Sequence, residues 1–258
     1  MKKLVSLLVL LLPLMATAQT PEERGMEIAV EGDKRDAGFG DMSSDMIMTL
    51  KNANGDVSIR KMRSKNLEVE GDGDKGLTIF DEPADIKGTA FLSFTHILDA
   101  DDQWLYLPAL KRVKRISSKN KSGPFMGSEF AFEDLSSREV AKYTYLYLRD
   151  EAINGEDSFV VESKPNYKYS GYTRTVAWIS KETYQPLKLE YYDRKKSLLK
   201  TMTATGYQQY LGKFWRPDSL NMVNHQTKKE TRLEFSNYQF QKGLSDRDFN
   251  KSSLKRAR

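Results

Sequence analysis

The stretch Ser43-Ser-Asp-Met-Ile-Met-Thr-Leu-Lys-Asn-Ala-Asn-Gly-Asp-Val-Ser-Ile59 decides the fold class. Met46, Met48 and Leu50 alternate with Asp45, Ile47, Thr49 and Lys51, a period of two that puts successive side chains on opposite faces of a strand. Asn54-Gly55 is the residue pair that tight hairpins favour, and Val57 and Ile59 resume the alternation after it. The pattern recurs down the chain. Strands are predicted at Leu77–Phe80, Ala90–Leu98, Gln103–Leu107 and Lys111–Ile116. A second series follows at Tyr143–Asp150, Asp157–Ser163, Tyr172–Ile179, Tyr184–Asp193, Leu198–Tyr207, Trp215–His225 and Thr231–Phe240. Turn residues separate many of them, at Asp72-Gly73, Asn154-Gly155 and Leu211-Gly212-Lys213. Short, regular spacing without long amphipathic helices predicts an antiparallel meander and not a parallel α/β sheet.

Helix signals are few. Thr20 and Glu23 have capping-box spacing and Pro21 takes the first helical position, so residues 20–31 read as a helix that Gly32 ends. Short helical segments are expected at 83–87 and 134–141. Ahead of these, Lys2 and Lys3, the apolar run Leu4–Met15 and Ala16-Thr17-Ala18 have the form of a cleavable export signal. The apolar run is shorter than the roughly 20 residues that span a bilayer. The expected organisation is therefore a signal at 1–18 and a single domain at 19–258, exported to the periplasm. With no cysteine in the chain, there is no disulfide and no lipid attachment at the cleavage site.

The formal net charge of +5 includes Lys2 and Lys3, so the exported form is only mildly basic. Outside the cytoplasm such a charge points to anionic headgroups or an acidic protein, with transient membrane-surface contact, and not to nucleic acid. Catalysis is not expected. His96 and His225 are the only histidines and are read as structural hydrogen-bonding residues, and no serine stands in a nucleophile elbow. The acidic turns at Asp72 and Asp74 and at Asp99, Asp101 and Asp102 lack calcium-loop spacing, and no metal or cofactor is expected.

Several strands are apolar on both sides. Tyr143, Tyr145 and Tyr147 oppose Leu146 and Leu148, and Ala90, Leu92, Phe94 and Leu98 oppose Phe91 and Ile97. Two explanations stand: covering layers on both faces of the sheet, or a curved sheet whose concave side lines an apolar cavity. Candidate cavity or lid residues are Met46, Met48, Phe91, Phe94, Trp104, Tyr106 and Tyr145, with Phe125 and Met126 on the glycine-flanked loop Gly123–Phe130. Lys111, Arg112, Lys114 and Arg115 form the densest basic cluster. They are read either as a docking or headgroup-binding strip or as the charges that keep an edge strand solvated.

At these residues the sequence resembles a known family. Asp85-Ile-Lys-Gly-Thr-Ala-Phe-Leu92, Trp104-Leu-Tyr-Leu-Pro-Ala-Leu110, Arg112, Arg115-Ile116, Phe125-Met-Gly-Ser128 and Phe132-Glu-Asp-Leu135 are similar to the outer membrane lipoprotein-sorting proteins, a LolA-like group. The likeness extends to Asp41–Leu50 and Phe249–Leu254. The resemblance implies a strongly curved antiparallel sheet, an incomplete β-barrel, with helices over the concave opening. It also implies a periplasmic carrier of lipid or lipoprotein acyl chains, working with an inner-membrane RND/MMPL-type transporter. The alternative is an adaptor that docks on an envelope transporter and carries nothing.

Overall fold

The structure is a computed structural model and describes residues 19–255; the expected export signal lies outside the described residues. Helix α1 (Pro21–Asp36) begins as its sequence requires. The Glu23 amide donates to Thr20 Oγ1 at 3.1 Å, and the Thr20 amide donates back to the Glu23 carboxylate at 2.8 Å. The helix runs past its expected end at Gly32. That residue's bare face meets the Tyr184 carbonyl, and an Arg35–Glu31 pair at 2.7 Å supports the added turn.

The strands are β1 (Asp41–Lys51), β2 (Val57–Leu67), β3 (Lys75–Glu82), β4 (Ala90–Phe94), β5 (Asp102–Leu107), β6 (Arg112–Ile116), β7 (Tyr143–Ile153) and β8 (Glu156–Pro165). They continue with β9 (Tyr172–Ser180), β10 (Pro186–Asp193), β11 (Leu198–Thr205), β12 (Gln208–Tyr210), β13 (Phe214–Arg216), β14 (Ser219–Asn224) and β15 (Glu230–Phe240). Thirteen of them make one antiparallel sheet in the order β6-β5-β4-β3-β2-β1-β15-β14-β11-β10-β9-β8-β7, and β12 and β13 form a small separate hairpin. The sheet is open, with β6 and β7 as its edges.

Three strands stop short of their sequence-predicted limits. The run Ala90–Leu98 leaves the sheet after Phe94. There the Asp72 carboxylate takes the Ile97 amide at 3.0 Å and the His96 ring at 2.7 Å, drawing that backbone away from β5. Trp215–His225 is broken at Pro217, which has no amide to give a ladder. Leu198–Tyr207 ends before Gly206, whose φ of +70° turns the chain into the small hairpin. Residues 83–87 form a turn, and the expected helix at 134–141 is reduced to single 3-10 turns at Phe132–Leu135 and Val140–Lys142.

Pairing registers show which residues share a face. Tyr147, Val161, Ala177, Leu189, Met202 and Met222 stand opposite one another in a row across six strands. On this front face, towards β6, lie Met46, Met48, Met62, Phe80, Phe91 and Leu105. Because β6 and β7 are opposite edges, the 117–142 connection between them crosses the front face. It lays Phe125, Phe130 and Phe132 onto the core, with the Phe125 ring 5.2 Å from Phe91 and 5.9 Å from Phe80. Ion pairs secure it. Lys121 and Lys142 both reach the buried Asp101, and Lys200 Nζ donates to Asp134 Oδ2 and to the Glu129 carbonyl, each at 2.7 Å. On the back face, Leu77, Ile79, Ala90, Leu92 and Trp104 are covered by Phe249 and by Leu254 of the short helix α2 (Lys251–Leu254). For β3 to β5, two-sided apolar character therefore reflects covering layers on both faces.

Candidate functional site

Over β7 to β10 the front face is roofed by α1. The two meet most closely at Gly25, where an added Cβ would lie 2.8 Å from the Tyr147 amide nitrogen and 2.9 Å from that of Leu146. Arg24 stacks over Phe159 at 5.2 Å. Towards the other end, Arg35 stacks over Tyr184 at 4.0 Å and donates to the Glu182 carbonyl at 2.8 Å, and Asp36 pairs with Arg216 at 2.5 Å. Between these anchors lies a partly open cleft of about 880 Å³, within the usual size range of small-molecule sites. Its floor is Tyr145, Val161, Ser163, Thr175, Ala177 and Leu189, its roof Ile28, Ala29, Gly32 and Asp33, and its side wall Ser137 to Val140.

The cleft is apolar at its floor and acidic along one rim. Asp33, Asp36, Glu68, Asp74 and Glu139 all line it. Burial, with the charges of Glu68 and Asp36 adding, pushes the Asp74 carboxyl up to about 6. Burial raises Asp33 as well, with Asp36 and Glu68 contributing, and it raises Glu139, with Asp74 and Asp33 contributing. Glu68 is tied down by the amides of Gly38 and Gly40 at 2.6 and 2.8 Å. Among the described residues, Arg138 is the single cation of the lining. Its guanidinium donates to Ser163 Oγ at 2.5 Å and lies 3.7 Å from the Tyr143 ring centre. An apolar floor with ionic groups at its margins suits an amphiphile: a hydrocarbon portion gains by leaving water while a polar portion finds partners.

Residues 72–256 match a family model whose description reads uncharacterized protein. The crystal structure of a domain designated an outer membrane lipoprotein-sorting protein, from Vibrio parahaemolyticus, is 61% identical. It covers 91% of this chain and 99% of its own, with a TM-score of 0.89. The chain belongs to the outer membrane lipoprotein-sorting protein family. A DUF1329 family protein from Desulfovibrio piger is 31% identical, with the same coverage and a TM-score of 0.87. A LolA superfamily protein from Nitrosomonas europaea, at 21% identity over 89% of this chain and 98% of its own, has a TM-score of 0.71 and shares the fold. No curated protein matches the chain.

In this lipoprotein-sorting family member the candidate cavity, lid and docking residues singled out from sequence lie in four places. Tyr145 lines the cleft. Met46, Met48, Phe91 and Phe125 are packed into the front-face core, with Met126 against it, and Arg60 donates to the Met126 carbonyl at 2.5 Å. The loop Gly123–Phe130 is thus tucked onto that core. Phe94, Trp104 and Tyr106 belong to the back-face cluster under Phe249 and Leu254. Lys111, Arg112, Lys114 and Arg115 are exposed at the edge strand β6, and Arg115 pairs with Asp102. His96 bonds Asp72 and His225 Nε2 bonds Thr201 Oγ1 at 2.7 Å. Sequence reading did not single out Arg138, Ser163 or Asp33. Asp33 falls just past the Gly32 stop, and Arg138 lies in the expected helix at 134–141, where the structure instead runs between two 3-10 turns.

Proposed function

We propose that this protein is a periplasmic carrier that takes acyl chains of lipids or lipoproteins into the cleft under α1 and moves them between the inner and outer membranes. The observation that carries this reading is the hollow of about 880 Å³ between α1 and the floor of β7 to β10. The designation of the 61%-identical relative supports the same cargo class. Each methylene buried in such a space contributes about 0.8 kcal/mol, so a long chain binds tightly without any covalent step. Residues 1–18 act as the export signal and 19–258 as a single carrier domain.

The reading includes a curved sheet, and two hydrogen bonds support it. Gln103 of β5 donates to the Phe132 carbonyl at 2.9 Å, and Tyr172 of β9 donates to Asp134 at 2.9 Å. These strands stand nine places apart in the sheet, roughly 43 Å if it were flat. One 3-10 turn touches both, which supports a concave front face. The basic strand β6, at the sheet's edge, is then the place to meet anionic headgroups or an RND/MMPL-type transporter.

Native mass spectrometry of protein purified from the periplasm, with uptake of a fluorescent fatty acid by the stripped protein, tests the proposal. Co-purifying lipid masses and saturable uptake are expected. Protein that emerges ligand-free and refuses the fatty acid would overturn it.

A further inference from the structure

Arg138 is set apart from the rest of the cleft by its surroundings. Its side chain stands in the wall of the cleft and is open to the water there. It is nevertheless held in a fixed position by neighbours on the cleft wall and floor. Every contact that fixes it is uncharged. Ser163 Oγ accepts from it and is in turn hydrogen-bonded to Thr175 Oγ1 at 2.7 Å; the Tyr143 ring stacks beneath it; the Tyr145 hydroxyl is a further partner. Among the described residues no carboxylate forms an ion pair with it. A guanidinium carries five donors in a fixed fork, and these neutral partners leave part of the fork free. A guanidinium fixed in a cleft wall with donors to spare is a ready receptor for an oxyanion unless a carboxylate already occupies it. Here the fold holds a cation in place and supplies no anion.

We propose that Arg138 receives the anionic group, a carboxylate or a phosphate, of an amphiphile whose tail lies along Val161, Ala177 and Leu189. The inference deepens the carrier reading and rests on it. The fork geometry matches either oxyanion bidentately. Asp33 from α1, Asp74 just ahead of β3 and Glu139 beside Arg138 face the same space and repel small anions at its rim. A ligand is therefore selected only if its tail supplies the free energy to carry its anionic group past them, which excludes free phosphate as the natural occupant.

The test uses delipidated, exported-form protein and displacement of a neutral fluorescent acyl probe by four compounds: oleate, oleoyl-lysophosphatidate, uncharged monoolein and inorganic phosphate. Oleate and lysophosphatidate are expected to bind on the order of tenfold tighter than monoolein, the scale of one charge-assisted contact in an enclosed site. Inorganic phosphate should displace nothing. Arg138→Met should erase that advantage, so that oleate binds no tighter than monoolein, and a melting temperature close to that of the wild type shows that the variant is folded. Arg138→Lys keeps the charge without the fork and should retain part of the advantage. Ser163→Ala, which removes the orienting hydroxyl but not the charge, should give an intermediate loss. The anion site is overturned if the wild-type protein does not distinguish oleate from monoolein, if Arg138→Met binds oleate as well as wild type does, or if phosphate alone displaces the probe. Failure to bind monoolein as well would bring down the carrier reading itself, whereas monoolein binding with indifference to charge removes only the anion site.

Discussion

Two residues at the cleft put competing effects against each other. Gly25 sits inside a helix, where replacing glycine by alanine ordinarily gains about 1 kcal/mol. Its neighbours are the backbone nitrogens of Tyr147 and Leu146, at 2.8 and 2.9 Å from where a Cβ would stand, and backbone cannot rotate away as a side chain can. Overpacking of this kind costs about 1–3 kcal/mol, so packing wins over propensity. Gly25→Ala should lower the urea midpoint, and a midpoint equal to or above wild type would refute the close approach. Asp74 tests the acidic rim. Its carboxyl is pushed up to about 6, above the value near 3.9 of an unfolded chain. Between those two values the folded protein holds more protons than the unfolded chain, so Asp74's contribution makes stability fall as pH rises from about 4 to about 6. The penalty is complete at neutral pH and absent below about 4. Asp74→Asn should therefore raise stability at pH 7 by on the order of 1 kcal/mol, allowing for its partial solvent contact, and do little at pH 3.5. Thermal melts of both proteins at the two pH values decide this.

Among the elements, the 117–142 connection shows most plainly what sequence can and cannot convey. Its apolar residues Phe125, Phe130 and Phe132 reach the front-face core because the chain must travel from edge β6 to edge β7 across that face. The sequence shows a glycine-flanked apolar loop, but not which strands stand at the edges, so an exposed lid and a tucked loop look alike in it. The strands were legible because alternation and turn residues are local. Most of their limits follow from Asn54-Gly55 and its counterparts, and the misses at Leu98, Pro217 and Gly206 come from a side-chain capture, a missing amide and a left-handed turn. The Met46 and Met48 stripe reads correctly as one face, yet whether that face lines a hollow or a solid core depends on what crosses it. Tyr145, on an equally apolar strand, lines the cleft because α1 lies above it. The connection's own anchor makes a sharp prediction. Lys200 and Asp134 form a nearly solvent-free pair at 2.7 Å. Lys200→Met leaves the Asp134 charge without its cation at a cost of about 3–5 kcal/mol, while replacing both partners with apolar residues costs much less. Chemical denaturation of the single and double variants measures the difference; equal losses would mean that the pair does not secure the segment.

For the molecule as a whole, the decisive property is that one continuous face is solid towards β6 and hollow towards β7. The row from Val161 through Ala177, Leu189 and Met202 to Met222 passes from the hollow into the core without a change of strand pairing. The same substitution should therefore have opposite consequences at its two ends. Ala177→Trp projects a large ring into the space of about 880 Å³, where there is room for it. It should block uptake of a fluorescent fatty acid while leaving the melting temperature within a few degrees of wild type. Met222→Trp forces the ring into a fully buried position. It should destabilise by about 1–3 kcal/mol, the usual cost of overpacking, and leave uptake by the remaining folded protein intact. On the proposed carrier reading, the solid half holds the sheet's shape and the hollow half is where cargo enters and leaves under α1. If Ala177→Trp unfolds the protein, or if it takes up fatty acid as well as wild type does, then the space beneath α1 is not where the chain goes.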